Sequence, residues 1–102
     1  MITVITSTAD NISAPFDKRF GRAEWFCFYD SEKDMVSFQK NEFSNVSNGA
    51  GVRVAELMVE KGVKKIISGD FGPKAKEILK KFSIQMVVAD KKRVEEIIEL
   101  IK

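Results

Sequence analysis

The stretch KKIISGDFGPKAKEILKKFSIQMVVA, residues 64–89, decides the fold. Its first five residues, Lys64 to Ser68, centre on Ile66 and Ile67 and form a short apolar run of strand length. Gly69-Asp70-Phe71-Gly72 then breaks the run. Pro73 suits the first position of a helix, where a missing N–H costs nothing, and Ala75, Ile78, Leu79 and Phe82 recur at helical spacing. Ile84 to Ala89 is β-rich again. A strand, a helix and a strand in immediate succession predict a parallel pair joined by a right-handed crossover.

Working outward toward the C-terminus, Asp90 is the expected N-cap of a terminal helix whose buried stripe is Val94, Ile97, Ile98 and Ile101. Toward the N-terminus, Ala50 to Lys61 is apolar except for Arg53, Glu56 and Glu60, so it reads as a helix packed on a sheet and ended by Gly62. Before it, Glu24 to Asp30 alternates Trp25, Cys27 and Tyr29 on one face with Phe26 and Phe28 on the other, as a central strand does. Asp34 to Lys40 returns as a more polar strand near an edge, closing a hairpin through Ser31-Glu32-Lys33. Ile2 to Thr6 is β-branched throughout and opens the domain as a buried strand. The predicted order is β-β-β-α-β-α-β-α, an α/β fold with a five-stranded mixed sheet flanked by three helices in one domain, residues 1–102.

Composition narrows the chemistry. The 102 residues hold no histidine and one cysteine, with 17 basic against 15 acidic side chains for a net charge of +2. A Ser-His-Asp or Cys-His pair, a His-ligated zinc site, an internal disulfide and a Cys-x-x-Cys site are all excluded. The charge is too small to mark a nucleic-acid protein. The lysine pairs Lys64-Lys65 and Lys80-Lys81 and the cluster Lys91-Lys92-Arg93 read as solvated surface. No run approaches the roughly 18 apolar residues of a membrane span, and the N-terminal run is shorter than a secretory signal, so a cytoplasmic protein is expected. Two-metal hydrolysis needs converging carboxylates, and Ile2 to Thr6 carries none. Asp10 and Asp70 read instead as caps or as partners of Arg19 and Arg22. Cys27, flanked by Phe26 and Phe28, reads as a small buried hydrophobe.

In an open α/β sheet the ligand crevice lies at the carboxyl ends of the parallel strands. Three loops should converge there: the irregular segment Ser7 to Ala23, the loop before Ala50, and Gly69 to Gly72. They carry Arg19-Phe20-Gly21-Arg22-Ala23, Asn48-Gly49-Ala50-Gly51-Val52-Arg53 and Gly69-Asp70-Phe71-Gly72-Pro73-Lys74-Ala75. In that combination and order the strings resemble the dinitrogenase iron-molybdenum cofactor biosynthesis family, the NifX-like domains also found at the C-terminus of NifB. The resemblance spans nearly the whole chain. It implies a ribonuclease H-like fold and the binding or carrying of an iron-sulfur or iron-molybdenum cluster or its precursor, with no enzymatic step. Family members commonly place a histidine just before Phe-Gly-Arg and another just before Gly-Ala-Gly, where they look like ligands. Here those positions hold Arg19 and Asn48.

A guanidinium does not coordinate metal and an amide is a poor iron ligand, which shifts the expectation from a ligated metal centre to an anion-receptive pocket. Arg19, Arg22, Arg53 and Lys74 would supply charge around two helix N-termini. Asn48 would add hydrogen bonds, Gly49, Gly51 and Gly72 would let the backbone approach the ligand, and Phe20 and Gly21 complete the motif. Arg22 has a second reading as a clamp, bonding loop carbonyls across the Ser7 to Ala23 segment. The expected partner is a small anionic ligand or metal cluster. The alternative is a regulatory or protein-interaction module that has lost cluster binding.

Overall fold

The computed structural model describes residues 1–90 and 92–102, so Lys91 of the expected lysine cluster lies outside the described residues. Its elements follow the predicted order: β1 (Ile2–Ser7), β2 (Trp25–Asp30), β3 (Met35–Lys40), α1 (Ala50–Glu60), β4 (Lys65–Ser68), α2 (Pro73–Lys81), β5 (Gln85–Val88) and α3 (Val94–Ile101). The strands form one sheet in the order β3-β2-β1-β4-β5. β1 pairs antiparallel with β2 and parallel with β4, β2 pairs antiparallel with β3, and β4 pairs parallel with β5. The sheet is thus mixed, with β3 on an edge.

Both faces of the sheet are covered, which is why its central strands are apolar on alternate sides. On one face Val4, Phe26 and Ile66 pack with Val54, Ala55 and Met58 of α1 and Ala75 and Leu79 of α2. On the other, Ile5, Cys27, Tyr29 and Ile67 pack with Val94, Ile97 and Ile98 of α3. The alternation of Trp25 to Asp30 is split between these two cores as the sequence predicts. Each large side chain removed from water on either face contributes about 1.5–3 kcal/mol.

One boundary differs from the sequence reading. Asp90 does not start α3; the N-cap position is Arg93, in extended backbone at φ −80°. The cause is tertiary. The Phe16 amide donates to the Lys92 carbonyl at 2.8 Å, the Val94 amide to Ala14 at 2.9 Å, and the Glu95 amide to Ile12 at 2.8 Å. These bonds and the Pro15–Arg93 bridge hold the approach to α3 extended along the first loop. The helix begins only after that pairing ends. The carbonyls of Ala14 and Ile12 thus meet the first helical amides that Asp90 was expected to cap, and the Glu96 carboxylate accepts from the Arg93 amide at 3.0 Å.

Candidate functional site

The first loop, residues 8–24, is tied down along its length. Its Asp17 amide donates to the Thr6 carbonyl at 2.8 Å, and the Thr6 hydroxyl donates back to the Asp17 carbonyl at 2.5 Å. Further along, the buried Asn41 donates from its amide nitrogen to the carbonyls of Gly21 (2.9 Å) and Ala23 (2.8 Å). Its oxygen accepts from the Phe43 amide at 2.9 Å, so one side chain joins the first loop to the second. Sequence reasoning gave Asn41 no role beyond a loop residue. No short-range pattern points to it, because its partners come from a different turn of the chain.

Two glycines set how the loops meet. A Cβ on Gly21 would stand 2.7 Å from the Gly51 nitrogen and 2.9 Å from its Cα, so the first loop lies directly on the start of α1. Gly69 lies as closely against the backbone of Lys18, whose carbonyl accepts from the amides of Gly69 (3.0 Å) and Asp70 (2.8 Å). A side chain at either position would push the loops apart. Gly49 is required for another reason: it caps α1 at φ 74°, the left-handed region.

Between these contacts lies a crevice of about 560 Å³. It is lined by Phe20, Gly21 and Arg22 from the first loop, Gly49 to Val52 from the start of α1, and Asp70 to Ala75 from the start of α2. It sits at the carboxyl ends of β1 and β4, where the chain leaves the sheet in two directions. Phe20 is buried and meets Phe71 with ring centroids 5.0 Å apart, forming an apolar wall. The first amides of each helix have no intrahelical acceptor. At α1 and α2 no side chain caps them, and neither first turn contains an acidic residue.

Of the residues singled out in the sequence, Phe20, Gly21, Arg22, Gly49, Gly51, Gly72 and Lys74 line this crevice. Arg19, Asn48 and Arg53 do not. Arg19 turns back on Asp17, its Nε and Nη2 donating to the two carboxylate oxygens at 3.0 and 2.8 Å. Burial alone would push the Asp17 carboxyl up, but the Arg19 guanidinium and amide outweigh it and hold the group below its ordinary value. Arg53 lies over the Phe43 ring, 5.9 Å from its centroid, and Asn48 is exposed. Arg22 lines the crevice and is also a clamp: its Nη1 donates to the carbonyls of Ser44 (3.2 Å) and Val46. Those carbonyls belong to the second loop, not to the segment it was expected to brace. The Asp70 carboxylate, expected to cap a helix or pair with an arginine, instead accepts from the Phe20 backbone amide through Oδ1 at 3.1 Å.

The donor set for a metal is poor. Among the described residues no three carboxylate or thiol side chains gather into a metal-binding group. Cys27 is fully buried in β2 on the α3 face, and burial pushes its thiol up to about 12. A thiolate ligand is therefore not on offer. What the crevice does offer is backbone N–H groups, an apolar wall and two cations.

Among solved structures, the apo form of the orange protein of Desulfovibrio gigas has the same fold, with a TM-score of 0.90 and 24% identity, covering 98% of this chain and 85% of that one. A Thermotoga structure described as a NifB candidate matches with a TM-score of 0.84 and 30% identity over 98% of this chain and 85% of its own. An uncharacterized protein of Methanocaldococcus jannaschii is 30% identical over 97 residues, 87% of this chain and 82% of its own. No helix among the described residues is long and apolar enough to cross a membrane. Residues 1–102 match the family described as dinitrogenase iron-molybdenum cofactor, and the chain belongs to that family.

Proposed function

We propose that the protein is a carrier that holds an anionic metal–sulfur cargo, an iron-sulfur or iron-molybdenum cofactor precursor, in the crevice between α1 and α2 without transforming it. The observation that carries this reading is the pair of helix N-termini opening uncapped on one cavity of about 560 Å³. Free amides and the positive end of each helix dipole favour a sulfide, phosphate or carboxylate anion. Arg22 and Lys74 add charge at the wall, Phe20 and Phe71 supply an apolar surface, and Gly49, Gly51 and Gly72 leave the backbone accessible. Arg19, Asn48 and Arg53 act outside the crevice, through loop structure and long-range charge.

The cargo is held by hydrogen bonds and charge instead of by side-chain ligands, since the chain has no histidine and Cys27 is sealed in the core. Such a hold suits a carrier, because release requires no metal–ligand bond to break. The same reading places the protein with non-enzymatic, cytoplasmic, single-domain carriers. It also assigns the topology to the ribonuclease H-like class, supported by the strand order β3-β2-β1-β4-β5 with β2 antiparallel to its neighbours.

Anaerobic reconstitution with ferrous iron and sulfide, followed by desalting and analysis of both elements per chain, tests the reading. The wild type should retain iron and sulfide in fixed ratio at low salt, and Lys74→Glu should lose them. If wild type and variant alike retain neither, the carrier reading fails and the interaction-module reading takes its place.

A further inference from the structure

We infer that β3 is a self-complementary edge through which two copies of this chain join their sheets antiparallel about a twofold axis. The inference is independent of the cargo reading and rests on hydrogen-bond parity along the strands. The Ser31 amide donates to the Met1 carbonyl, and β1 and β2 continue in that register with Thr3 opposite Tyr29 and Ile5 opposite Cys27. In an antiparallel ladder, bonded and non-bonded pairs alternate. The odd-numbered residues of β2 therefore direct their N–H and C=O groups to β1, and the even-numbered ones direct theirs to β3. The Asn41 amide bonded to the Glu24 carbonyl fits the same phase on the other side. On β3, Met35, Ser37 and Gln39 consequently spend their backbone groups on β2. Val36, Phe38 and Lys40 present theirs to the outside.

Only registers that place these outward residues opposite one another can form bonds between two copies. With Ser37 on the twofold axis, Val36 faces Phe38 of the second copy, and Phe38 faces its Val36, each pair exchanging both backbone bonds. The same register sets Lys40 against Asp34 of the second copy at both ends. Shifting it by one allowed step places Val36 against either Lys40 or Val36 and brings Asp34 and Lys40 out of opposition. Charge complementarity thus selects the centred register. Asp34 has a positive φ of 51° and ends the ladder there, so its part is the ion pair alone. Its carboxylate already accepts from the Tyr29 hydroxyl at 2.8 Å, which holds it at the strand end, and the Lys102 ammonium stands 3.8 Å away.

The side chains agree with the backbone. Met35 is 61% exposed and Val36 38%, an apolar content that edges usually avoid, and Phe38 is only partly covered by the α3-face core. Pairing sets Val36 and Phe38 of each copy side by side on that face, and Met35 beside Gln39 on the other. The opposite edge, β5, has four residues to the six of β3 and offers a shorter ladder. A second copy of this chain is therefore the occupant.

Sedimentation equilibrium or native mass spectrometry over a concentration series up to about 1 mM reads the association. Wild type should be a dimer in that range. Val36→Pro removes an outward N–H without touching the β2 ladder, so it should keep its circular dichroism and melting temperature near wild type while dimerisation weakens at least about tenfold. Lys40→Glu and Asp34→Lys should each be monomeric alone, because each makes like charges face each other. Mixed in equal amounts they should form a heterodimer, since both ion pairs are then restored. A monomeric wild type at 1 mM, a folded Val36→Pro that dimerises like wild type, or a failure of the mixed variants to pair would each overturn the inference.

Discussion

The starts of α1 and α2 differ from the start of α3 in first-turn charge and in the bonds made at the helix end. α3 carries Glu95 and Glu96 in its first turn, and the Glu96 carboxylate accepts the Arg93 amide. α1 and α2 begin after Gly49 and Gly72 without a side-chain cap or an acidic first turn. Lys74 even places a cation in the first turn of α2, where it opposes the helix dipole. The chain thus neutralises its own helix end on one face of the sheet and leaves two ends unneutralised at the crevice. Local stability does not explain that choice; on the carrier reading proposed above, an anion supplied from outside completes both ends.

The substitution with the largest effect removes the crevice outright. Gly21→Val places branched carbon against the Gly51 backbone, which cannot yield as a flexible side chain could. It should cost about 3 kcal/mol in urea unfolding, with cargo retention lost as well. A cost near zero would mean that the first loop does not rest on α1 in solution. Arg22→Ala acts on the same seam less severely. It strands the carbonyls of Ser44 and Val46, and about 1.5 kcal/mol should be lost. Arg22→Lys separates the two roles: as a point charge without the planar fork, it should keep most of the cargo affinity while recovering little of the stability.

How much of this was legible beforehand depends on whether the controlling contact is local. The strands and helices were readable because their periodicity records which sides are buried: Phe26 against Cys27 in β2, or Ala75, Ile78 and Leu79 in α2. The start of α3 was not, since the bonds of Phe16, Val94 and Glu95 to a loop some eighty residues away in sequence, by rough count, override the capping preference of Asp90. The candidate site divides in the same way. Its glycines and Lys74 could be placed from the topology, because helix starts follow from the strand order. The two arginines could not be told apart by type. Arg19 had a carboxylate within reach at Asp17, two positions earlier, so its withdrawal was open to local reasoning that weighed Asp10 and Asp70 instead. The carbonyl partners of Arg22 came from the second loop and left no trace in its neighbourhood.

A smaller effect tests the neutralised end. Glu96→Ala deletes the carboxylate that accepts the Arg93 amide and removes one negative charge from the first turn of α3. About 0.5–1 kcal/mol of stability should go with it, measured by denaturant titration, while cargo retention stays unchanged because α3 lies on the opposite face. An equal loss of cargo would break the distinction between the two faces.

The smallest change in stability is the most informative, because its sign opposes its effect on binding. Gly72 is extended at φ −64° and ψ 158°, backbone that any N-cap residue adopts, and a Cβ there meets nothing within 4 Å. Gly72→Asp should therefore give α2 a side-chain cap and a negative charge at its start, raising stability by a few tenths of a kcal/mol. The new carboxylate would also occupy the free amides of α2 and face the crevice with negative charge, so retained iron and sulfide should fall. If glycine stands at this position only to start the helix, aspartate improves the protein and alters nothing else. If the uncapped end is the binding device, the stabilised variant is the one that cannot carry.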